Sequence, residues 1–212
     1  NLKNRFENLN GSVTIFDVGL GAAANSLATL HAAQAHLNEK GHLNLISFEK
    51  DLSLLEFALS QSHVFEHFSG FESAIRTLLT KNEWQSPQIS WILRAGDFGE
   101  KVKSETHFAD LVFYDPYSPQ VNREMWTRDI FEKLKNRCNE KSVLYTYSRA
   151  TPVRAALLSA GFFVGAGAAT GLKDETTQAA LDPRYLNSPL GERWFQRWNN
   201  SKTPYPLGTP KE

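Results

Sequence analysis

One short segment near the start restricts the fold more than any other. Val13-Thr14-Ile15-Phe16 is a β-branched and aromatic run, and Asp17-Val18-Gly19-Leu20-Gly21 follows it without a gap. Such a run reads as a strand. Two glycines spaced by one residue then let the chain turn sharply, with its backbone close to anything outside the strand end. Asn25 to Leu37 is rich in Ala and Leu, with apolar residues at helical spacing. Strand, glycine turn and helix together open a parallel α/β unit.

The pattern repeats along the chain. Leu43 to Phe48 alternates and ends at Glu49, a second strand, and Leu52 to Leu59 reads as a helix opened by Asp51 or Ser53. A helix is expected over Phe71 to Leu79, a third strand over Ile89 to Leu93, then Gly96-Asp97 and a short helix over Phe98 to Val102. Ala109 to Tyr114 forms a fourth strand, ending at Asp115 and a loop stiffened by Pro116 and Pro119. Met125 to Leu134 reads as a helix, Ser142 to Tyr147 as a fifth strand, and Val153 to Ala160 as a helix stopped by Gly161. Phe162 to Val164 and Thr176 to Ala180 complete seven strands. Alternating strands and helices imply a Rossmann-like α/β fold, a mostly parallel seven-stranded sheet flanked by helices. One domain is expected over 1–181, with an irregular tail over 182–212 that packs on it or extends from it.

The bulk numbers bound the function. At 212 residues, 41% hydrophobic and 22% charged, the chain is an ordinary globular protein with one sizeable core. No stretch approaches the roughly 20 apolar residues of a membrane helix, and Asn1 to Arg5 lead into mixed sequence with no leader pattern. The chain opens on Asn1 rather than Met, as a trimmed or excised chain would. Cys138 is the single cysteine, so no internal disulfide can form and a cytoplasmic location is expected. Its setting, at what reads as a helix end, is that of an unreactive thiol. A net charge of zero argues against a strongly basic nucleic-acid binder and leaves room for a local basic patch. The histidines (31, 36, 42, 63, 67 and 107) are scattered; His63 and His67 share helical spacing but lack a third ligand, so no metal is expected.

The chemistry is expected at the strand ends, where Asp17, Glu49, Asp97 and Asp115 all fall. In open parallel sheets ligands bind there. A dinucleotide turn wants a third glycine where this chain has Ala24, and an acid beside the turn suits a cation better than a pyrophosphate. S-adenosylmethionine carries an amino group and a sulfonium and no phosphate. Gly19 and Gly21 would admit it, Glu49 would accept both ribose hydroxyls, and Asp97 would accept the adenine amino group, with Phe98 as a packing surface. Each also has a plain reading: a tight turn for the glycines, and a helix-start carboxylate for Glu49 and Asp97. Asp115 lies where a carboxylate can orient an amine or take its proton.

The segment Asp115-Pro-Tyr-Ser-Pro-Gln-Val-Asn-Arg-Glu-Met-Trp-Thr-Arg-Asp-Ile-Phe resembles the D-x-F-x-P-x-x-N-P-x-M-W-T-x-x-x-F stretch of the MnmC-type methyltransferase domain. Tyr145-Thr-Tyr-Ser-Arg-Ala, Val153-Arg154 and Ala160-Gly-Phe resemble its continuation, and Asn25 matches an asparagine after the family's glycines. The likeness runs from about Val13 to about Ala180. It implies a class I methyltransferase that uses S-adenosylmethionine and methylates the aminomethyl group of a modified wobble uridine in tRNA. Carried over by position, Asp17, Gly19, Gly21, Asn25, Glu49 and Asp97 bind the cofactor, Asp115 faces the acceptor amine, and Ser118, Pro119, Asn122 and Trp126 shape the acceptor loop. Bifunctional members carry a fused flavin-dependent oxidase. This chain is too short to hold one, so it resembles the stand-alone form or an excised domain, and the oxidase is either a separate partner or absent. The family's lysine near Val121 and its proline at Arg123 are missing; Arg123 supplies charge nearby. A late basic stretch of the family is represented by the less basic Gly171-Leu172-Lys173-Asp174-Glu175.

Arg123, Arg128, Lys133, Lys135, Arg149 and Arg154 can be read as phosphate contacts or as ordinary solvated faces. Trp194, Phe195 and Trp198 can be read as a base-stacking set or as the apolar face of a helix. Three functions stay open: an N-methyltransferase on modified tRNA, a methyltransferase on a small amine or other acceptor, and a cofactor- or partner-binding module without turnover.

Overall fold

The computed structural model describes residues 2–169 and 175–201. The stretch from Gly171 to Asp174 lies outside the described residues. The chain separates into two compact units, Asn1–Lys101 and Val102–Glu212.

The first unit opens with helix α1 (Leu2–Glu7), then β1 (Gly11–Val18), α2 (Ala24–His36), β2 (Gly41–Glu49), α3 (Ser53–Ser60), α4 (Glu72–Lys81), β3 (Glu83–Ser86), β4 (Ile89–Ala95) and α5 (Phe98–Ser104). Its strands run in the order β3-β4-β2-β1. Both β1–β2 and β2–β4 are parallel, while β3 pairs antiparallel with β4. From Val13 to Val18 every residue of β1 is buried, as expected of a strand covered on both faces. Sequence patterning did not indicate β3, because Glu83-Trp84-Gln85-Ser86 is polar and only half-covered, and backbone pairing alone makes it a strand. Among the described residues it raises the strand count from the expected seven to eight. Helix α1 was also unforeseen. It is anchored by Phe6, which is fully buried, and by the Asn38 amide, which donates to the carbonyls of Phe6, Glu7 and Leu9.

The second unit holds β5 (Ala109–Tyr114), α6 (Arg128–Lys135), β6 (Cys138–Thr146), α7 (Thr151–Ser159), β7 (Phe163–Gly167), β8 (Thr176–Ala180) and α8 (Glu192–Asn199). Its strands run β5-β6-β8-β7, with β5–β6 parallel and β8 antiparallel to both its neighbours. The helix expected from Met125 to Leu134 is broken in two. Arg123–Trp126 is a 3-10 turn, and Thr127, in an extended conformation, caps α6 by accepting the Ile130 N–H at 3.4 Å. Within the stretch expected to be irregular, α8 forms with Trp194 buried, Trp198 tilted against it one turn on, and Phe195 edge-on to it. Among the described residues, no helix is long and apolar enough to cross a membrane.

Two side chains depart from their sequence readings. Cys138 does not end a helix; it opens β6, and burial pushes its thiol up to about 12. Arg154 is neither a phosphate contact nor a solvated helix residue. It is buried, pairs with Glu175, and donates to Thr177 Oγ1 and the Thr176 carbonyl at 2.9 Å each, tying α7 to β8.

Replacing Arg154 by Ala strands these acceptors and should lower stability by about 2–3 kcal/mol, read as a shift in urea midpoint at unchanged slope. The raised Cys138 thiol stays protonated at pH 8, so the folded protein should react with a disulfide reagent far more slowly than the urea-unfolded chain; equal rates would refute the burial account.

Candidate cofactor and acceptor sites

Within the first unit the parallel register sets Asp17, Glu49 and the turn after Ala95 at one edge: Val18 pairs with Phe48, and Glu49 with Ala95. Gly19 and Gly21 have φ of +88° and +51°, so the turn needs the left-handed freedom that glycine provides. Ala23 follows at φ 59°, a less comfortable place for a residue with a Cβ, and is the N-cap residue just before α2. The turn is held from two sides. Its Gly19 and Leu20 amides donate to the Phe48 carbonyl, and the Gly21 amide donates to Glu49 Oε2 at 3.0 Å. The other Glu49 oxygen accepts the Lys50 and Asp51 amides. A half-buried carboxylate thus fixes the turn that it adjoins and retains lone pairs for further donors.

The other predicted residues divide clearly. Asp17 is 1% exposed and lies beneath the turn, accepting the Ser26 hydroxyl at 2.5 Å; its charge reaches the surroundings as a field rather than across an open face. Asp97 is exposed and caps α5, accepting the Glu100 N–H at 3.2 Å, so the helix-start reading is realised and the carboxylate still faces solvent. Phe98 is 4% exposed and packs edge-on against Phe48 at 5.1 Å, so its ring lies in the core with little face left for adenine. Asn25 sits half-buried on the first turn of α2. His67 is half-buried with Nε2 3.4 Å from the Ala22 carbonyl of the turn, and its own carbonyl meets His31 Nε2 at 3.0 Å. Sequence reasoning missed Ser26, Ser47 and Trp91, which are fully buried and linked to Asp17; nothing in the primary pattern marks isolated serines as partners of a carboxylate.

The donor set fits S-adenosylmethionine. Glu49 and Asp97 place carboxylates at this edge, with Asp17 buried beneath it, which favours a ligand with an ammonium and a sulfonium over a phosphate-bearing one. A Cβ added at Gly21 would meet only Leu54, at 3.8 Å, so the backbone there is open to close approach.

In the second unit, Asp115 follows β5 and accepts the Tyr147 backbone N–H at 3.1 Å. The Tyr147 hydroxyl donates to the Pro116 carbonyl at 3.0 Å; burial first, and the Asp115 charge second, push this phenol above its usual range. Trp126 is fully buried, donates to the Tyr117 carbonyl at 2.8 Å, and meets Tyr114 and Tyr147 edge-on. It shapes the loop from beneath. Ser118 closes a turn by accepting the Val121 and Asn122 amides through its carbonyl, and Pro119 lies half-buried beside it. The Asn122 amide, oriented to satisfy its neighbours, donates to Glu124 at 2.9 Å. Arg123 is exposed. Of the other expected basic contacts, Arg128 pairs with Glu132 and Lys133 with Asp129, each at 2.6 Å, while Arg149 is exposed. Tyr147 is the functional candidate that the sequence reading passed over, although it lies within the Tyr145-Thr-Tyr-Ser run.

A family profile described as S-adenosyl-L-methionine-dependent methyltransferase matches residues 66–182, more than half of the chain. The chain belongs to that family. Its cofactor is S-adenosylmethionine. The crystal structure of MnmC2 from Aquifex aeolicus superposes with a TM-score of 0.74 at 29% identity, covering 100% of this chain and 66% of that one. The tRNA 5-methylaminomethyl-2-thiouridine biosynthesis bifunctional protein MnmC of Methylibium petroleiphilum is 28% identical over 87% of this chain and 29% of its own length. An uncharacterized protein of Methanocaldococcus jannaschii is 24% identical over 84% of this chain and 49% of its own. The chain therefore spans less than half the length of these curated relatives. The expected resemblance to the MnmC-type methyltransferase domain holds, and so does the α/β class.

Gly21→Ala tests the approach of the cofactor. The left-handed φ should cost about 1 kcal/mol of stability, while the added methyl, where a ligand meets the backbone, should weaken S-adenosylmethionine binding about tenfold or more. Unchanged affinity by calorimetry would place the ligand away from this turn.

Proposed function

We propose that this chain is an N-methyltransferase acting on the aminomethyl group of a modified wobble uridine in tRNA. The observation that carries the reading is the Asp115 loop: a strand-end carboxylate, steadied by the Tyr147 amide, in a segment underpinned by Trp126. The similarity to MnmC proteins, whose name refers to 5-methylaminomethyl-2-thiouridine in tRNA, supplies the substrate class. Neutral net charge and the absence of the family's lysine near Val121 are the features that favour a small amine as the second reading.

S-adenosylmethionine, when bound, supplies a methyl group attached to a positively charged sulfur. Glu49 would accept the ribose hydroxyls, Asp97 the adenine amino group, and Asp17 would set a negative charge beneath the turn made by Gly19 and Gly21, with Asn25 beside it. The acceptor nitrogen has to arrive as a neutral amine, because its lone pair forms the new N–C bond while the S–C bond breaks. Asp115 would accept a hydrogen bond from that amine, aim its lone pair, and take the one proton that nitrogen must lose. Ser118, Pro119 and Asn122 would border the acceptor, and Arg123 would supply a cation for a phosphate.

The test uses purified protein, labelled cofactor and tRNA bearing the unmethylated aminomethyl uridine. Asp115→Asn should lower turnover by about a hundredfold or more with cofactor affinity retained. Glu49→Ala and Asp97→Ala should lose micromolar cofactor binding in calorimetry. Transfer to small amines that ignores added tRNA would replace the acceptor in this reading, and tight cofactor binding with no transfer to any acceptor would make the chain a binding module.

A further inference from the structure

The buried polar groups behind the glycine turn form a single directed line. Trp91 Nε1 of β4 lies 2.9 Å from Ser47 Oγ of β2, Ser47 Oγ lies 2.8 Å from Ser26 Oγ of α2, and Ser26 Oγ lies 2.5 Å from Asp17 Oδ2 of β1. Trp91, Ser47 and Ser26 are fully buried, and Asp17 is 1% exposed. The chemistry of the groups fixes the sense of each bond. An indole N–H can only donate, and a carboxylate can only accept. Ser26 therefore gives its one proton to Asp17, Ser47 gives its one proton to Ser26, and Ser47 accepts from Trp91. Each hydroxyl donates once and accepts once, so neither can turn away without breaking a bond on both sides.

A hydrophobic core has no need of such a line, since apolar residues of the same volume serve packing as well or better. Its cost is justified where a charge must be held in one place. Donors in series polarise one another, and the last hydroxyl presents a strengthened dipole to the carboxylate. We infer that Ser26, Ser47 and Trp91 are positioning residues that hold the Asp17 charge beneath the turn, and that this fixed charge sets the affinity for the cationic amino-acid end of S-adenosylmethionine. The inference rests on the cofactor reading of the turn proposed above.

The two ends of the cofactor can be probed separately. 5′-Methylthioadenosine keeps the adenine, ribose and sulfur and lacks the ammonium and the sulfonium charge. Calorimetry of the full chain with each ligand should show that Asp17→Asn and Ser26→Ala weaken S-adenosylmethionine by about tenfold, the scale of one charge-assisted hydrogen bond. Binding of 5′-methylthioadenosine should stay within about twofold of the parent. Ser47→Ala, one step further back, should show a smaller loss of the same selective kind, and it carries the test if Ser26→Ala does not fold. Glu49→Ala should weaken both ligands. If Ser26→Ala and Ser47→Ala weaken both ligands equally, the line is merely structural and the inference falls. If Asp17→Asn loses affinity while both serine variants match the parent, Asp17 acts without the line. Parent-like binding by Asp17→Asn, or no binding of S-adenosylmethionine by the parent, would overturn the cofactor reading itself.

Discussion

A charge taken out of water must be met by donors, and Asp17 is the residue on which this requirement falls. An uncompensated buried carboxylate costs several kcal/mol, enough to consume much of a domain's net stability. The hydroxyl that meets it comes from α2, the next hydroxyl from β2 and the indole from β4. One charge therefore fixes the spacing of three strands and a helix, and the turn above it inherits that rigidity. Glu49 adds a second constraint by accepting the Gly21 amide together with the Lys50 and Asp51 amides. The edge of the first unit is thus built around two carboxylates before any ligand arrives.

The second unit reaches the same end with aromatic rings. Trp126 and Tyr147 meet edge-on, and each sends its one polar hydrogen to a backbone carbonyl of the loop that begins at Asp115. Tyr114 lies between that loop and α6, in contact with both Trp126 and Phe131, so the loop is joined to the core of its unit. A carboxylate held in this way has little freedom to swing, which favours catalysis by orientation over catalysis by induced movement.

Most of the first unit was legible because its signals are local. The run from Val13 to Phe16, the glycines at 19 and 21 and the Ala-rich helix each announce their own conformation. The missing pieces lacked local signals. Glu83 to Ser86 is a strand only because β4 offers it an edge, and Thr127 breaks a continuous apolar pattern by preferring to cap a helix. Asp17, Glu49 and Asp97 could be named from their places after strands, yet their different settings (buried, half-buried and exposed) depend on packing that the sequence does not spell out. Arg154 shows the limit most clearly. Its charge suggested a surface, and only the tertiary fold brings Glu175 and Thr177 to it.

The loop after Asp115 also separates what must stay from what can change. Its base is pinned by Trp126, which is wholly enclosed, while Tyr117 and Val121 at its crest are 60% and 77% exposed. Substitutions at the crest therefore leave the foundations untouched. A lineage could exchange those outer side chains and turn toward a new methyl acceptor while the carboxylate beneath kept its aim. Retargeting such a protein, in nature or in the laboratory, would begin at the crest.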